Sequence, residues 1–223
     1  MAFPIREIRE IAFGTLVLVE LPDTDDFAIP LGLEEALYAA ALPPARRATW
    51  VGGRVALHVA LETLGAPFAG AILSSDRGAP AMPAGFLGSV SHKPTLAVAL
   101  VAGAAPGAPV TIGVDLEIAR PLRQDIAPRV LTPAERTELF ALPAEARERE
   151  ILQRFAVKEA LYKALDPWVR RFVSFQEVET SHSGDGRWDV LLRFQGGEAF
   201  AVEVLEPGDV STVVAAARVR AVR

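Results

Sequence analysis

The stretch GVDLE at 113–117 carries two carboxylates in alternate positions. On a β-strand, Asp115 and Glu117 would share one face with Gly113, while the intervening apolar residues would point to the other side. Two carboxylates on one face repel each other, and removing them from water is costly. A bound cation would offset that cost, and oxygen-only ligands favour a hard ion such as Mg²⁺. The alternative interpretation is a strand end whose acids face water.

The segment FAVKEALYKA at 155–164 predicts an amphipathic helix. Its apolar arc holds Ala156, Val157, Ala160, Leu161 and Ala164, and the opposite arc collects Phe155, Lys158, Glu159, Tyr162 and Lys163. Glu159 and Lys163 stand in the order that favours a surface salt bridge, which would contribute only about 0.3–0.5 kcal/mol. The other interpretation makes Glu159 a third metal carboxylate and leaves Lys158 and Lys163 for phosphate oxygens.

Cationic and polar side chains in the first half predict an anion-binding site. The candidates are Arg46, Arg47, Trp50, Arg54, His58, Arg77, Ser91, His92 and Lys93. Arginine suits bidentate phosphate binding, and a glycine-rich turn with Ser and His before a strand offers further donors. Scattered surface arginines and a strand-capping histidine are the alternative. Taken with the carboxylates, these residues suit a substrate with a monophosphate at one end and a diphosphate in the middle, which is the shape of coenzyme A.

Composition limits the class of protein. The chain has 223 residues, of which 51% are hydrophobic and 23% charged, which is typical of a globular protein. A net charge of −5 argues against a nucleic-acid partner, and the absence of cysteine excludes disulfides and thiolate chemistry. Charged residues near the start argue against a signal peptide, and Gly and Pro interrupt the longest apolar run. These features predict a cytoplasmic protein without a membrane partner.

Helical and strand patterns alternate along the chain. Helices are predicted over 31–42, 44–65, 131–142 and 144–165, and strands over 14–21, 110–119, 188–194, 198–206 and 210–219, while residues 89–102 are predicted to begin as a turn and to continue as a strand. Thr132, Pro133 and Glu135 form a capping-box signature, and Pro167 is expected to end the fourth helix. The segment AGAAPGAP at 102–109 is the clearest break in composition. It predicts two α+β halves that meet near residue 105.

The motifs resemble the 4′-phosphopantetheinyl transferases, and more narrowly the siderophore-synthase (enterobactin-type) branch of the surfactin-type group. The matching pieces occur in the family order: RRATWVGGR at 46–54, RGAPAMPAGFLGSVSH at 77–92, GVDLE at 113–117 and FAVKEALYKA at 155–164. The resemblance spans about residues 40 to 170. Lys93 departs from the small residue that often follows the histidine in this branch, and the C-terminal strands carry no family motif.

The resemblance implies an α+β fold, a pseudo-twofold monomer of two similar α/β halves with the active site in the cleft between them. Residues 1–105 would form the coenzyme A 3′-phosphate and adenine side, and residues 106–223 the Mg²⁺ and catalytic side. The implied reaction transfers 4′-phosphopantetheine from coenzyme A to a serine of an apo acyl, aryl or peptidyl carrier protein. It depends on Mg²⁺ and releases adenosine 3′,5′-bisphosphate.

The resemblance also implies roles for individual residues. The metal ligands would be Asp115, Glu117 and Glu159, and the catalytic residues Glu159, Lys163 and Asp115. Glu159 would accept the serine proton directly or through a metal-bound water, and Lys163 would neutralise the leaving group. Lys158 and Lys163 would contact the phosphates. The 3′-phosphate and nearby groups would be bound by Arg54, Ser91 and His92, together with Arg46, Arg47 and Arg77.

Two other functions compete with this interpretation. A Mg²⁺-dependent hydrolase of nucleotide diphosphates would need similar carboxylates but no separate 3′-phosphate site. A non-catalytic carrier-binding module should have lost one of the four residues Asp115, Glu117, Glu159 and Lys163, all of which are present. His58 and His182 are assigned structural roles, His182 in a hairpin loop. An interface with the carrier is predicted at Trp168, Arg170, Arg171 and Phe172.

Overall fold

The computed structural model describes residues 3–24, 26–105, 107, 109–122, 124–184, 186–194, 199–208 and 211–222. The chain divides into two compact units, Met1–Ala105 and Pro106–Arg223, called unit 1 and unit 2 below. Each unit combines one antiparallel sheet with helices, so the predicted α+β class is confirmed. None of the helices in the described ranges is both long enough and apolar enough to cross a membrane.

Unit 1 packs two helices on a four-stranded sheet. Its strands are β1 (Ile5–Ile11), β2 (Gly14–Glu20), β3 (Phe86–Lys93) and β4 (Leu96–Gly103), in the order β1-β2-β4-β3. Its helices are α1 (Leu33–Ala40) and α2 (Pro44–Thr63). The buried side of α2, including Val51, Leu57 and Leu61, packs in one core with alternate residues of β2 and β4.

Unit 2 places one long helix on a five-stranded sheet. The strands are β5 (Thr111–Ile118), β6 (Val178–Gly184), β7 (Arg187–Leu192), β8 (Phe200–Leu205) and β9 (Thr212–Ala221), in the order β5-β9-β8-β7-β6. The helices are α3 (Ala127–Val130), α4 (Pro133–Phe140) and α5 (Ala144–Val169), and a 3₁₀ turn spans Phe175–Glu177. The predicted apolar arc of α5 is fully buried in the core of this unit.

Helix ends follow the sequence signals in one case and depart from them in another. The predicted capping box is confirmed, because Thr132 and Glu135 exchange hydrogen bonds at the start of α4. Pro167 does not end α5, which continues to Val169 and stops at Arg170 in the left-handed conformation, with φ at 46°. Pro167 lacks one backbone N–H donor, but the Arg170 N–H still donates to the Asp166 carbonyl at 3.0 Å, so the last turn survives.

The segment SVSH lies in a strand, although the sequence predicts a turn there. Ser91 and His92 belong to β3 and pair with Val98 and Ala97 of β4, and the turn follows them. Likewise, His182 lies in β6 and pairs with Trp188, not in a hairpin loop. In both places cross-strand pairing outweighs the turn preference of Gly and Ser.

Candidate active site

Strand β5 presents its two carboxylates to the interior. Asp115 and Glu117 are only 5% and 8% exposed, and they lie on the same side of the strand as Gly113. This is the side on which α5 packs, because a side chain at Gly113 would strike the backbone of that helix. The acids therefore lie enclosed beside α5, and the interpretation in which they face water is wrong.

Glycine at position 113 lets α5 lie directly on β5. A Cβ atom at Gly113 would stand 2.0 Å from the Ala160 carbonyl oxygen and 2.8 Å from the Ala164 nitrogen. A second contact comes from Thr111, whose hydroxyl donates to the Ala164 carbonyl and accepts from the Trp168 indole N–H at 2.6 Å. These contacts fix the position of α5 along the strand.

Lys163 uses that position to reach Asp115. Its ammonium donates to Asp115 Oδ1 at 2.7 Å and to the Val114 carbonyl oxygen at 2.8 Å. The Lys163 side chain is 28% exposed, so the ammonium lies at the border between interior and solvent. Glu159 is half-buried one helical turn earlier. A carboxylate, an ammonium and solvent access thus meet at one place.

The oxygen donors at this place fit a hard divalent cation. Asp115 and Glu117 supply two carboxylates, and Mg²⁺ commonly takes one or two carboxylates together with waters or substrate phosphates. Across the ranges that the structure describes, no group of three acidic, histidine or cysteine side chains is placed to hold a metal ion. The structure therefore does not gather Asp115, Glu117 and Glu159 into one ligand set, and Glu159 as the third ligand stays a prediction.

Lys158 is buried, which corrects the prediction that it contacts substrate phosphate. The residue is 1% exposed. Its ammonium donates to the Val130 carbonyl at 2.8 Å, to Glu135 Oε2 at 2.6 Å and to the Phe175 carbonyl at 3.2 Å. An ammonium has three N–H groups, and protein acceptors engage all three. The helix pattern places Lys158 on the charged arc because it cannot show that α3 and α4 cover part of that arc.

Glu135 is a central residue that the sequence shows only as a helix cap. Its Oε1 accepts from the backbone N–H and hydroxyl of Thr180, and its Oε2 accepts from the Thr132 N–H and from Lys158. Burial alone would raise the pKa of Glu135, but the hydrogen bonds from Lys158 and Thr180 hold that pKa below its ordinary value. Burial lowers the pKa of Lys158, and Glu135 offsets this in part.

The family resemblance implies that Arg54 binds phosphate, but the residue lies inside unit 1. It is 3% exposed, and its guanidinium donates to the Ile72 carbonyl and, at 3.0 Å, to the Ser74 hydroxyl. It also lies over the Trp50 ring, 4.5 Å from the centroid. Burial lowers the pKa of Arg54 to about 10, against the opposing influence of Glu35. Arg54 therefore holds residues 72–74 against α2, and its contact with a 3′-phosphate stays a prediction.

The other predicted anion-binding residues of unit 1 differ in exposure. Arg46, Arg77 and His92 are exposed, Arg47 is half-buried and Ser91 is buried. Arg47 donates to the carbonyls of Ala39 and Ala40, at 3.3 and 3.5 Å. These carbonyls end α1, where a cation is stabilising. Arg47 therefore caps α1, whereas the exposed residues are accessible to a ligand.

The two histidines assigned structural roles both contact carboxylates. His58 Nε2 lies 3.0 Å from Glu35 Oε2, and His58 Nδ1 lies 3.1 Å from the Phe68 carbonyl oxygen. Glu35 is 1% exposed and also accepts the Ile72 N–H. His182 Nε2 lies 3.0 Å from Glu150 Oε1. These contacts join neighbouring elements and support the structural assignment.

The predicted carrier interface contains exposed side chains and side chains that are hydrogen-bonded within the protein. Phe172 is 74% exposed. Arg171 forms two hydrogen bonds with the Glu177 carboxylate, at 2.8 and 3.1 Å, and holds the pKa of Glu177 below its ordinary value. Trp168 is tied to Thr111, and Arg170 caps α5. Phe172 and Arg170 are the exposed members of this group, whereas Trp168 and Arg171 are partly buried.

Enclosed carboxylates beside a partly exposed ammonium would suit the transfer of a phosphorus-containing group between oxygen atoms, because such reactions depend on positioning and on charge neutralisation. Comparison with known protein families identifies the class of enzyme. Residues 111–217 match the family described as the 4′-phosphopantetheinyl transferase superfamily, and residues 33–102 match the 4′-phosphopantetheinyl transferase N-terminal domain.

Two curated relatives agree with these family matches. The chain is 34% identical over 188 residues to the 4′-phosphopantetheinyl transferase PptT of Mycobacterium tuberculosis, a match that covers 77% of this chain and 79% of the relative. It is 34% identical over 176 residues to the 4′-phosphopantetheinyl transferase Npt of Nocardia iowensis, covering 78% of this chain and 74% of the relative. Among solved structures, the holo-[acyl-carrier-protein] synthase of Thermotoga maritima is 25% identical, with a TM-score of 0.40, and the match covers 49% of this chain and 62% of that one.

The chain belongs to the 4′-phosphopantetheinyl transferase superfamily. It is an enzyme that transfers phosphopantetheine from coenzyme A to an apo carrier protein, as the motifs predict.

Proposed function

We propose that the transferase chemistry takes place where α5 lies on β5, that it uses Mg²⁺, and that adenosine 3′,5′-bisphosphate is the released product. The observation that carries the proposal is the 2.7 Å contact between the enclosed Asp115 and Lys163. Glu117 lies on the same strand face, and Glu159 lies one helical turn before Lys163. These residues combine carboxylates for a divalent cation with an ammonium for phosphate.

Charge balance supports a divalent cation at Asp115 and Glu117. The two enclosed carboxylates lie on the same strand face and repel each other, and a divalent cation bound between them would relieve that repulsion. Mg²⁺ would be held by Asp115 and Glu117, with Glu159 as a third ligand. When bound, the ion would neutralise charge on the diphosphate of coenzyme A.

The residues of α5 would act on the carrier serine and on the leaving group. A bond forms between the serine oxygen and the phosphorus of phosphopantetheine, and the bond from that phosphorus to the bridging oxygen breaks. The serine proton passes to the Glu159 carboxylate, and the bridging electron pair leaves with adenosine 3′,5′-bisphosphate. Lys163 stabilises the charge that develops on this leaving group, and Asp115 orients Lys163.

Unit 1 would bind the 3′-phosphate end of coenzyme A. Arg46, Arg77 and His92 are exposed, and each offers N–H donors suited to phosphate. Ser91 neighbours His92 on β3, and Arg54 holds residues 72–74 just before the loop that carries Arg77. Arg54 therefore supports this site through backbone placement as well as through its charge.

The carrier and the branch of the family are also proposals. The motifs RRATWVGGR and SVSH support the siderophore-synthase (enterobactin-type) branch, with an acyl, aryl or peptidyl carrier as the partner. Phe172 supports a carrier contact beside α5, because aromatic side chains are enriched at protein interfaces.

Mass spectrometry of an apo carrier incubated with the enzyme and coenzyme A tests the proposal. With Mg²⁺ the carrier should gain one phosphopantetheine group, and chromatography should detect an equal amount of adenosine 3′,5′-bisphosphate. Chelating the metal should abolish both products, and Asp115→Asn should do the same without unfolding the protein. Glu203→Gln is a matched control, because Glu203 pairs with Arg218 on the same sheet. Full activity of Asp115→Asn would contradict the assignment of the site.

A further inference from the structure

A buried ion pair joins five elements of unit 2 at the middle of α5. Lys158 contributes the cation, and Glu135 at the start of α4 contributes the anion, 2.6 Å away. The Lys158 ammonium also reaches the carbonyls of Val130 in α3 and Phe175 in the 3₁₀ turn. Glu135 in turn accepts two hydrogen bonds from Thr180 of β6. Each partner therefore bonds to elements that are distant in sequence.

A second buried cation on α5 extends this network by one helical turn. Arg154 is fully buried and donates to the Thr180 carbonyl and, at 2.9 Å, to Glu138 Oε1. It also lies 3.4 Å from Glu135 Oε1. Arg154 and Lys158 are four residues apart and so lie on the same side of the helix. This side of α5 is therefore bonded to α4 at two successive turns, and Arg154 bonds it to β6 as well.

The network and the glycine contact hold α5 on two different sides. On one side Gly113 of β5 meets the backbone at Ala160, and on another Lys158 meets Glu135. A shift of one residue along the helix axis would move every side chain by about 1.5 Å. That shift is enough to break hydrogen bonds of ordinary length, so both contacts require the same register. Glu159 and Lys163 belong to the segment that these contacts hold.

We propose that Glu135 and Lys158 are positioning residues that hold Glu159 and Lys163 at the reacting groups. The inference rests on the proposed roles of Glu159 and Lys163. Stability alone is a poor explanation for the pair, because replacing a buried ion pair by apolar groups is often neutral or stabilising. Fixed geometry explains it better, because the pair uses all three ammonium hydrogens and ties five elements to one point.

The test compares Glu135→Gln, Lys158→Met and the double variant with the wild-type enzyme. Each single variant leaves one polar or charged partner buried without its counterpart and should lower the unfolding temperature. The double variant removes both charges and should recover most of that loss. The matched control is Glu203→Gln with Arg218→Met, which neutralises an ion pair at the β8–β9 pairing.

Three measurements separate positioning from stability. We expect the double variant to be folded, with kcat lower by about 10- to 100-fold and with KM for coenzyme A close to the wild-type value. Hydrogen exchange of the backbone amides at residues 159–163 should be faster than in the wild-type enzyme. The control pair should change neither kcat nor this exchange. Recovery of full kcat together with stability in the double variant would overturn the inference.

Two further outcomes have distinct meanings. If Lys158→Met raises KM for coenzyme A while Glu135→Gln does not, Lys158 contacts the substrate and the inference is wrong. If exchange at residues 159–163 rises but kcat stays at the wild-type value, the proposed roles of Glu159 and Lys163 fail, and the catalytic part of the inference fails with them.

Glu135→Asp keeps the test decisive if the double variant does not fold. It retains both charges and shortens the anion by one methylene, so Lys158 and its part of α5 must move to keep the contact. We expect a folded protein with reduced kcat and faster exchange at residues 159–163. Wild-type values of both would overturn the inference.

Discussion

Two lysines on α5 show how burial separates residues of the same type. Lys158 is 1% exposed and uses every N–H group inside the protein, whereas the Lys163 side chain is 28% exposed and lies against Asp115. The helix pattern places both on the charged arc, and the family resemblance implies a phosphate contact for each; the pattern reports only the angle at which a side chain leaves the helix. What covers that angle depends on α3, α4 and the 3₁₀ turn, which are not encoded in the local pattern.

Lys163→Ala should reduce kcat by about 100- to 1000-fold, which is typical when one preorganised donor to a developing negative charge is lost. Asp115 would also lose its 2.7 Å partner. Steady-state kinetics with coenzyme A and an apo carrier measure the effect. Arg193→Ala serves as a control, because Arg193 is an exposed cation paired with Glu179 on the same sheet. An unchanged kcat in Lys163→Ala would contradict the role of Lys163.

Glu159→Gln should lower kcat even at saturating Mg²⁺. The amide keeps the size of the side chain and one oxygen for a metal, but it cannot accept the serine proton. Turnover is measured across a Mg²⁺ titration, so that weaker metal binding and slower chemistry are separated. If only the Mg²⁺ requirement changes and saturated turnover is preserved, Glu159 is a ligand and not the base.

The 3′-phosphate assignment is tested with dephospho-coenzyme A, which lacks that phosphate. His92→Ala removes an exposed donor, and a lost charge-assisted hydrogen bond should reduce kcat/KM for coenzyme A by about 10- to 100-fold. The dephospho form should lose much less. Arg54→Ala should show the same preference and also unfold at a lower temperature, because Ile72 and Ser74 lose their donor. Equal losses on both substrates, analysed as a double-mutant cycle, would exclude contact with the 3′-phosphate.

Elements were predicted well where the pattern has a single interpretation. The capping box at Thr132 and the apolar arc of α5 are confirmed. Strand β1, IREIREI, was not predicted, because isoleucine at every third position does not show the alternation of a strand. It forms a strand because it pairs with β2. Strand pairing is a property of the whole sheet and is therefore missing from local patterns.

Gly113→Ala tests the contact between α5 and β5. The added methyl group would stand 2.0 Å from the Ala160 carbonyl oxygen, so the helix must move away from the strand. We expect a lower unfolding temperature and a large loss of kcat, because Lys163 would move away from Asp115. Gly53→Ala is the control: Gly53 lies within helix α2, and its added Cβ would meet Val90 of β3 at an ordinary distance of 3.9 Å. That variant should be neutral, or more stable by about 0.5–1 kcal/mol. Wild-type activity of Gly113→Ala would contradict the requirement for close contact.

At the scale of the whole molecule, the sequence predicted the reaction better than it predicted the contacts that hold the site residues in place. The resemblance carried by GVDLE and the α5 motif implies that Asp115, Glu117, Glu159 and Lys163 belong to the catalytic half, and these roles stay predictions. The supporting contacts, such as the ion pair between Glu135 and Lys158, join residues 23 positions apart. Such pairs depend on how distant elements pack, so no local spacing identifies them.

Hydrogen-bonded carboxylates in unit 2 should determine how the protein responds to acid. The hydrogen-bonded carboxylates of Glu135, Glu177 and Glu203 all have pKa values below the ordinary 4.5. When the pH is below 4.5, each of these groups binds more protons in the unfolded chain than in the folded one. Their stabilisation is therefore complete above pH 4.5 and is lost as the pH falls through the lowered folded pKa values. Each titrating group can change the free energy of unfolding by at most about 1.4 kcal/mol per pH unit.

Urea unfolding followed by circular dichroism over the acid range tests this prediction. The free energy of unfolding of the wild-type protein should fall steadily with decreasing pH. The double variant Glu135→Gln with Lys158→Met should show a flatter fall, because it lacks the carboxylate that Thr180, Arg154 and Lys158 surround. Glu203→Gln with Arg218→Met should flatten the curve less, since that pair is about one-third exposed and solvent screens it. An equally steep fall in the wild-type protein and the Glu135 double variant would show that the acid response arises elsewhere in the molecule.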